Sequence, residues 1–108
     1  LGTQFTMEDG FYSSRLKEKF NLDVVLPGPQ DRKRIDSIIY KELCQGKILK
    51  DSKEEVIQMI KELKANKAEA VMLGCTELGL LIKPQDVDIP VYDTTLLHAQ
   101  KAVALSFL

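Results

Sequence analysis

The sequence predicts an α/β protein, a three-layer α/β/α lobe built on a parallel four-stranded sheet. Short apolar runs rich in β-branched residues alternate with segments whose apolar residues recur at helical spacing. Gly, Pro, Asn or Asp residues separate these segments. Strands that alternate with helices form parallel sheets with helices on both faces. The carboxyl ends of parallel strands meet at one edge, so we expect a site there.

The composition indicates a globular chain and disfavours several classes of partner. Hydrophobic residues make up 44% and charged residues 29% of the 108 positions. The net charge of −1 gives no electrostatic reason to expect binding to nucleic acid or to an anionic membrane. No apolar run approaches the roughly 20 residues of a membrane span, and no signal peptide is visible. We expect a reduced, cytoplasmic protein.

The ends of the chain suggest one lobe, residues 1–108, truncated on both sides. The first residue is Leu1 rather than Met, and residues 1–3 have the character of the last residues of a strand. Leu108 falls inside an apolar helical pattern. Truncation would expose apolar surface, so homo-oligomers are also an expectation.

The first half of the chain predicts two helices and a second strand. Thr6 is a good N-cap for a helix that ends near Phe20 and is irregular at Gly10. The apolar run at residues 22–26 predicts a strand that Pro and Gly end at once. A helix follows over residues 31–43. Its buried stripe is expected to comprise Ile35, Ile38, Ile39, Leu43 and then Cys44.

The second half predicts the other two strands, each followed by a helix. Residues 70–73 predict a strand buried on both faces, and residues 89–92 an edge strand that tolerates proline. Three helices are expected: from a capping box at Ser52 and Glu55 to Asn66, over residues 76–82, and after a cap at Asp93.

The segment from Gly74 to Glu77 holds the main candidate for chemistry. Gly74 lets the strand turn sharply, which places Cys75 at the strand's carboxyl end and beside a helix N-terminus. Such a position lowers the pKa of a cysteine and favours a reactive thiol, while a small buried hydrophobe is the alternative. Three roles are open for Glu77: a base, a partner of a substrate ammonium, or a favourable acid in the first helical turn.

The residues around this motif disfavour several cysteine chemistries. A low-molecular-weight tyrosine phosphatase needs an arginine six positions after its cysteine, and that position holds Leu81. A cysteine hydrolase needs a histidine base, for which His98 is the one candidate. Cys44 and Cys75 lack the spacing of metal ligands, and the sequence has no Gly-rich phosphate loop.

Four segments of the chain carry a family resemblance. The first is Gly74-Cys75-Thr76-Glu77-Leu78, followed by Leu80-Leu81. The others are residues 1–7 with Phe11-Tyr12, residues 38–43 with Gly46, and residues 90–95 with His98-Ala99. In this order they resemble the C-terminal lobe of the aspartate/glutamate racemase superfamily, in particular its aspartate racemase-like branch. The first segment is similar to the family's second cysteine motif.

The resemblance implies one half of a cofactor-independent amino-acid racemase, without pyridoxal phosphate or metal, built of two similar lobes. In such an enzyme one cysteine from each lobe flanks the substrate Cα. One removes the proton and the other returns a proton on the opposite face. Cys75 matches the second-lobe cysteine, and the first is absent from this chain. We therefore expect an amino-acid substrate, and no racemase activity without the missing N-terminal lobe.

The resemblance also implies a set of substrate-binding residues: Thr76, Glu77, Thr6, Thr3 and Lys47. Thr76 matches the residue that binds the substrate carboxylate through its hydroxyl and amide. Glu77 is typical of the aspartate and broad-specificity branch. Thr3 and Thr6 match a Gly-Thr-x-x-Thr loop, and Lys47 a variable contact to a distal carboxylate.

Two alternatives remain open from the sequence. A lobe related to hydantoin racemases, maleate isomerases or arylmalonate decarboxylases keeps the cysteine and changes the reaction, although Glu77 favours an amino-acid substrate. The other alternative is a catalytically inert, truncated binding or assembly domain, which a cysteine pKa near the usual value of about 8.5 would favour. For Asp93 and His98 we expect structural roles.

Overall fold

Two short parallel strands form the sheet in the computed structural model, which describes residues 1–107. Strand β1 spans Val71–Leu73 and strand β2 spans Val91–Asp93. The pairing is in register, with Val71 opposite Val91. Both strands match segments that the sequence predicts as strands, because short apolar runs that contain β-branched residues favour extended pairing.

Leu1 adds one residue to the other side of β1. Its amino group donates to the carbonyl of Met72 at 2.7 Å, and its carbonyl accepts from the N–H of Gly74 at 2.7 Å. This is the hydrogen-bond pattern of a residue paired in parallel with Leu73. The chain then turns away from β1. Leu1 is therefore a single paired residue and does not form a strand.

Helices make up most of the described residues. They are α1 (Gln4–Glu8), α2 (Phe11–Phe20), α3 (Pro29–Lys41), α4 (Lys50–Ala65), α5 (Leu78–Leu81) and α6 (Thr94–Ser106), with 3₁₀ turns at Leu43–Gln45 and Pro84–Asp86. The chain is therefore a mixed α/β lobe, as predicted, with a helical majority. Within residues 1–107, none of the helices is long and apolar enough to cross a membrane.

The hydrophobic core lies between α3, α4, β1 and α5. The side chains that are almost completely buried include Ile35, Ile38, Ile39, Val56, Ile60, Leu73, Leu78 and Leu81. The predicted stripe of α3 is confirmed, because residues at helical spacing fall on one face. Helices α2 and α6 contribute no buried residue to this core.

The predicted four-stranded sheet is wrong for the described residues. Residues 22–26 are neither helix nor strand, and residues 23–26 make no backbone hydrogen bond to another segment within residues 1–107. Their apolar side chains stay 36–44% exposed at Val24, Val25 and Leu26. A strand is stabilised by pairing with a neighbour, and the side of β1 that faces this segment carries the single residue Leu1. A β-branched sequence without a partner therefore stays irregular.

The predicted first helix is divided in two. Thr3, not Thr6, caps α1, since its side chain accepts from the N–H of Thr6 at 3.3 Å. Gly10 has a φ of 80° and separates α1 from α2. This left-handed conformation is the reason for a glycine here. Asn21 closes α2 with a φ of 54°, so the helix ends at Phe20, as predicted.

Two further predictions are wrong because a helix begins or ends at a different residue from the one predicted. Cys44 is exposed, not buried, because α3 ends at Lys41 and the helical stripe does not continue through the 3₁₀ turn. Ser52 is not an N-cap, because α4 already begins at Lys50. Its buried hydroxyl instead donates to the carboxylate of Glu42.

Candidate active site

A tight loop at the carboxyl end of β1 carries the candidate thiol. The N–H of Gly74 bonds to the carbonyl of Leu1, and a Cβ at residue 74 would lie 3.1 Å from that same oxygen. The close approach of the two backbones favours glycine. Cys75 follows directly, partly buried against the hydrophobic core. The predicted placement of Cys75 at a strand end is therefore confirmed.

Cys75 is held as a protonated thiol. Its Sγ donates to Oε2 of Glu77 at 3.0 Å. Burial and this hydrogen bond raise the pKa of Cys75 to about 11, and the same hydrogen bond lowers the pKa of Glu77. The expected lowering by a helix N-terminus is wrong, because α5 begins only at Leu78 and has four residues. The centre therefore pairs a proton donor with a charged acceptor at neutral pH.

The Cys75–Glu77 contact predicts an effect on thiol reactivity. In a Cys44→Ser chain, which leaves Cys75 as the one thiol, Glu77→Gln removes the charge that stabilises the protonated form. We expect the pKa of Cys75 to fall and its alkylation at pH 8 to become faster by about tenfold, the factor for one pKa unit. Iodoacetamide alkylation measured against pH checks this, and an unchanged profile would refute the role of Glu77.

The threonine loop at the start of the chain lies against the same strand end. The hydroxyls of Thr3 and Thr6 are 3.0 Å apart and share a hydrogen bond. A Cβ on Gly2 would contact both the carbonyl of Gly74 and Cβ of Thr6 at 3.5 Å. The structure thus brings this loop next to the residue that precedes Cys75, as the convergence of strand ends predicts.

Two residues of the second strand end also belong to this neighbourhood, and the sequence does not reveal their tertiary contacts. The hydroxyl of Thr94 donates to the carbonyl of Leu73 at 2.8 Å and so ties α6 to the end of β1. Asp93 caps α6 and also packs over Gly79, where an added Cβ would overlap its carboxylate. The sequence signal at this point, an Asp-Thr-Thr run, indicates only the helix cap.

The contact between Asp93 and Gly79 predicts an energetic coupling. The Gly79→Ala methyl group must displace the Asp93 carboxylate, which then loses its bonds to the N–H groups of Thr95 and Leu96. Loss of such a cap costs about 1 kcal/mol. We expect Gly79→Ala to lower the free energy of unfolding by about 1 kcal/mol more in the native background than in the Asp93→Ala background. Urea unfolding of the four variants measures the coupling, and additive effects would contradict it.

Comparison with known proteins identifies the family of this chain. A model of the family described as Asp/Glu/hydantoin racemase matches residues 1–102. The chain belongs to this racemase family. It is similar over its whole length to a solved structure of a putative Asp/Glu racemase from Yersinia pestis, with 42% identity and a TM-score of 0.92. It is also similar over its whole length to an aspartate racemase homologue from Pyrococcus horikoshii OT3, with 38% identity and a TM-score of 0.90. The chain spans about half of the length of each relative, because the matched region is 47% of each relative's chain.

In this racemase-family lobe, the other residues that the sequence singles out, Thr76, Lys47 and His98, are exposed. Thr76 is the exposed neighbour of Cys75. Lys47 is exposed after the Leu43–Gln45 turn, and within residues 1–107 its ammonium makes no hydrogen bond or ion pair. His98 lies exposed on α6. The thiol, its carboxylate partner and the threonine loop therefore form the described centre.

Proposed function

We propose that this chain is the C-terminal lobe of a two-lobed, cofactor-independent amino-acid racemase in which Cys75 is an acid–base residue. The observation that carries the proposal is a family-typical Gly-Cys-Thr-Glu segment whose thiol stands at the carboxyl end of β1 with a proton to give. Aspartate, glutamate or both are the proposed substrates, in line with the names of the two structural relatives.

The proposed reaction inverts Cα by two proton transfers on opposite faces. A thiolate of the missing lobe breaks the Cα–H bond, and the electron pair passes into the substrate carboxylate as an enediolate-like carbanion. The Sγ–H bond of Cys75 then breaks, and its proton forms the new Cα–H bond. A pKa of about 11 keeps Cys75 protonated for this step. In the reverse direction Cys75 must be the base, and a substrate ammonium beside Glu77 would favour its thiolate.

Four residues are proposed to bind the substrate for this chemistry. The hydroxyl and amide of Thr76 would bind the α-carboxylate, where charge develops as the proton leaves. The Thr3–Thr6 pair, already in hydrogen-bond contact, offers a second polar group beside the strand end. Lys47 is proposed as a contact for the distal carboxylate when the two lobes close on the substrate.

Assembly-dependent exchange of the Cα proton tests this function. The chain is studied alone and together with the separately expressed N-terminal half of the Yersinia pestis relative, with D₂O as solvent. We expect deuterium at Cα of aspartate or glutamate only in the assembled pair. Robust exchange by the chain alone that disappears in Cys75→Ser would contradict the two-lobe proposal. A stable one-to-one assembly that shows no Cα exchange with aspartate or glutamate would contradict the substrate proposal. Activity on hydantoins, maleate or arylmalonates would then identify one of the related reactions.

One observation favours an inert binding or assembly domain as the second candidate. In this chain α6 exposes about half of each of its large apolar side chains, such as 48% of Leu97 and 53% of Leu105. A helix face of this kind suits an interface. Two results together would support this candidate: substrate does not lower the pKa of Cys75 in the assembled pair, and no deuterium enters at Cα.

A further inference from the structure

A buried hydroxyl near the start of α4 holds a carboxylate at the end of α3. Ser52 is 2% exposed and donates to Oε1 of Glu42, whose side chain is 13% exposed. The other oxygen of this carboxylate lies 3.6 Å from Nη1 of Arg34. Arg34 also donates to both oxygens of Glu55, at 2.7 and 2.9 Å. A polar network therefore joins α3 to α4 where the chain turns between them.

The backbone of Glu42 contacts Lys47 in this turn. The carbonyl of Glu42 accepts from the N–H of Gln45 at 3.0 Å and from the N–H of Lys47 at 2.8 Å. Gly46, with a φ of 76°, lets the chain fold back between them. Two long side chains of opposite charge thus start from adjacent points of the backbone. Within residues 1–107 they form no ion pair, because the Glu42 carboxylate is directed to Ser52 and Arg34 instead.

The same turn is attached to the helix that follows the thiol loop. Leu43 belongs to one core cluster with Leu78 and Leu81 of α5. Helix α5 begins directly after Glu77, which accepts the hydrogen bond from Cys75. The turn and the thiol loop are therefore anchored in one packed core, and the close packing fixes their relative position.

We propose that Ser52 is a positioning residue for substrate selectivity, because it keeps the Glu42 carboxylate away from Lys47. The Lys47 ammonium is then available to the distal carboxylate of a substrate. The inference rests on the binding role proposed above for Lys47 and adds the residues that keep it available. A carboxylate on the same turn would otherwise compete with the substrate at a high effective concentration. The hydroxyl of Ser52 and the charge of Arg34 stabilise that carboxylate elsewhere.

A purely structural role for the network makes a different prediction. Joining α3 to α4 does not require a charge at residue 42, because apolar side chains of similar volume often stabilise such a position equally well. If the network only held the two helices together, loss of any member would weaken the binding of every ligand alike. If it keeps Glu42 from Lys47, the loss affects ligands with a distal carboxylate and depends on the charge of Glu42.

Two four-carbon acids separate distal-carboxylate binding from other binding. Succinate carries two carboxylates and butyrate carries one. Both are titrated, with NMR detection, into this chain assembled with the N-terminal half of the Yersinia pestis relative. We expect Ser52→Ala to weaken succinate binding by about tenfold, the effect of losing one charge-assisted contact, and to leave butyrate binding unchanged. Arg34→Gln removes the other partner of the Glu42 carboxylate and is expected to act in the same direction.

Removal of the competing charge is the decisive variant. Ser52→Ala combined with Glu42→Gln is expected to restore succinate binding to within about twofold of the native value, because the released side chain is neutral. A structural role predicts the opposite, since the double variant loses more of the network. Ser37→Ala is the matched control, because this α3 hydroxyl makes no hydrogen bond within residues 1–107.

Lys47→Met, with Lys50→Met as its control, separates failure of the inference from failure of the proposed function. Native succinate affinity in Lys47→Met would contradict the proposed role of Lys47, and the inference with it. Weaker binding in Lys47→Met but not in Ser52→Ala would overturn the inference alone. A Ser52→Ala defect that extends equally to butyrate, or that Glu42→Gln deepens, would assign the network to folding and would also overturn it. Binding of these acids is measured whether or not Cα exchange is observed.

Discussion

Cys75→Ser is expected to slow inversion of the amino acid strongly in the two-lobe racemase proposed above. A serine hydroxyl is a much weaker acid than a thiol and cannot take the place of Cys75 in either direction. General acid–base groups contribute roughly 10²–10⁴-fold to a rate, so we expect racemisation to fall by that factor. Circular dichroism of the amino acid during turnover measures the loss from either enantiomer.

The same variant separates the two faces of the substrate. In the proposed mechanism the thiolate of the other lobe can still remove the proton from one enantiomer. We therefore expect deuterium to enter that enantiomer while its configuration is retained. The enantiomer whose Cα–H faces Cys75 is expected to lose exchange. Cys44→Ser is the matched control, because Cys44 is exposed on the 3₁₀ turn and makes no part of the described centre. Undiminished inversion in Cys75→Ser would contradict the assignment.

The parts of the fold that the sequence predicts well depend on local pattern. The buried face of α3 follows from helical periodicity, and the break between α1 and α2 follows from the backbone freedom of Gly10. Residues 22–26 have an equally strong β-branched pattern but form no strand. A strand depends on a partner that is distant in sequence, and local composition does not contain that partner.

The candidate site shows the same division between local and tertiary information. The position of Cys75 at a strand end follows from the apolar run and Gly74. The state of the thiol does not, because it depends on burial and on the placement of the Glu77 carboxylate 3.0 Å away. The link from Thr94 to Leu73 joins residues 21 positions apart and is equally invisible in the sequence. Chemistry predicted from a motif therefore requires the structure to establish the protonation state.

The amino group of Leu1 makes the stability of the chain depend on pH in a defined window. Its pKa is lowered by burial from 8.0 to about 6, so the unfolded chain binds more protons between these values. Stability therefore rises with pH across this window. Below pH 6 the folded chain must hold a buried ammonium, and above pH 8 the penalty is gone. A difference of two pKa units corresponds to roughly 2–3 kcal/mol.

Acetylation of Leu1 isolates this contribution. The acetyl amide keeps an N–H for the carbonyl of Met72 but has no charge to desolvate. We expect urea unfolding of the free chain to show a free energy that increases by roughly 2–3 kcal/mol from pH 5.5 to pH 8.5, relative to the acetylated chain. Every other titrating group is common to both chains and cancels in the comparison. Parallel pH profiles would contradict this contribution, because they would show that the ammonium of Leu1 is solvated in the folded chain.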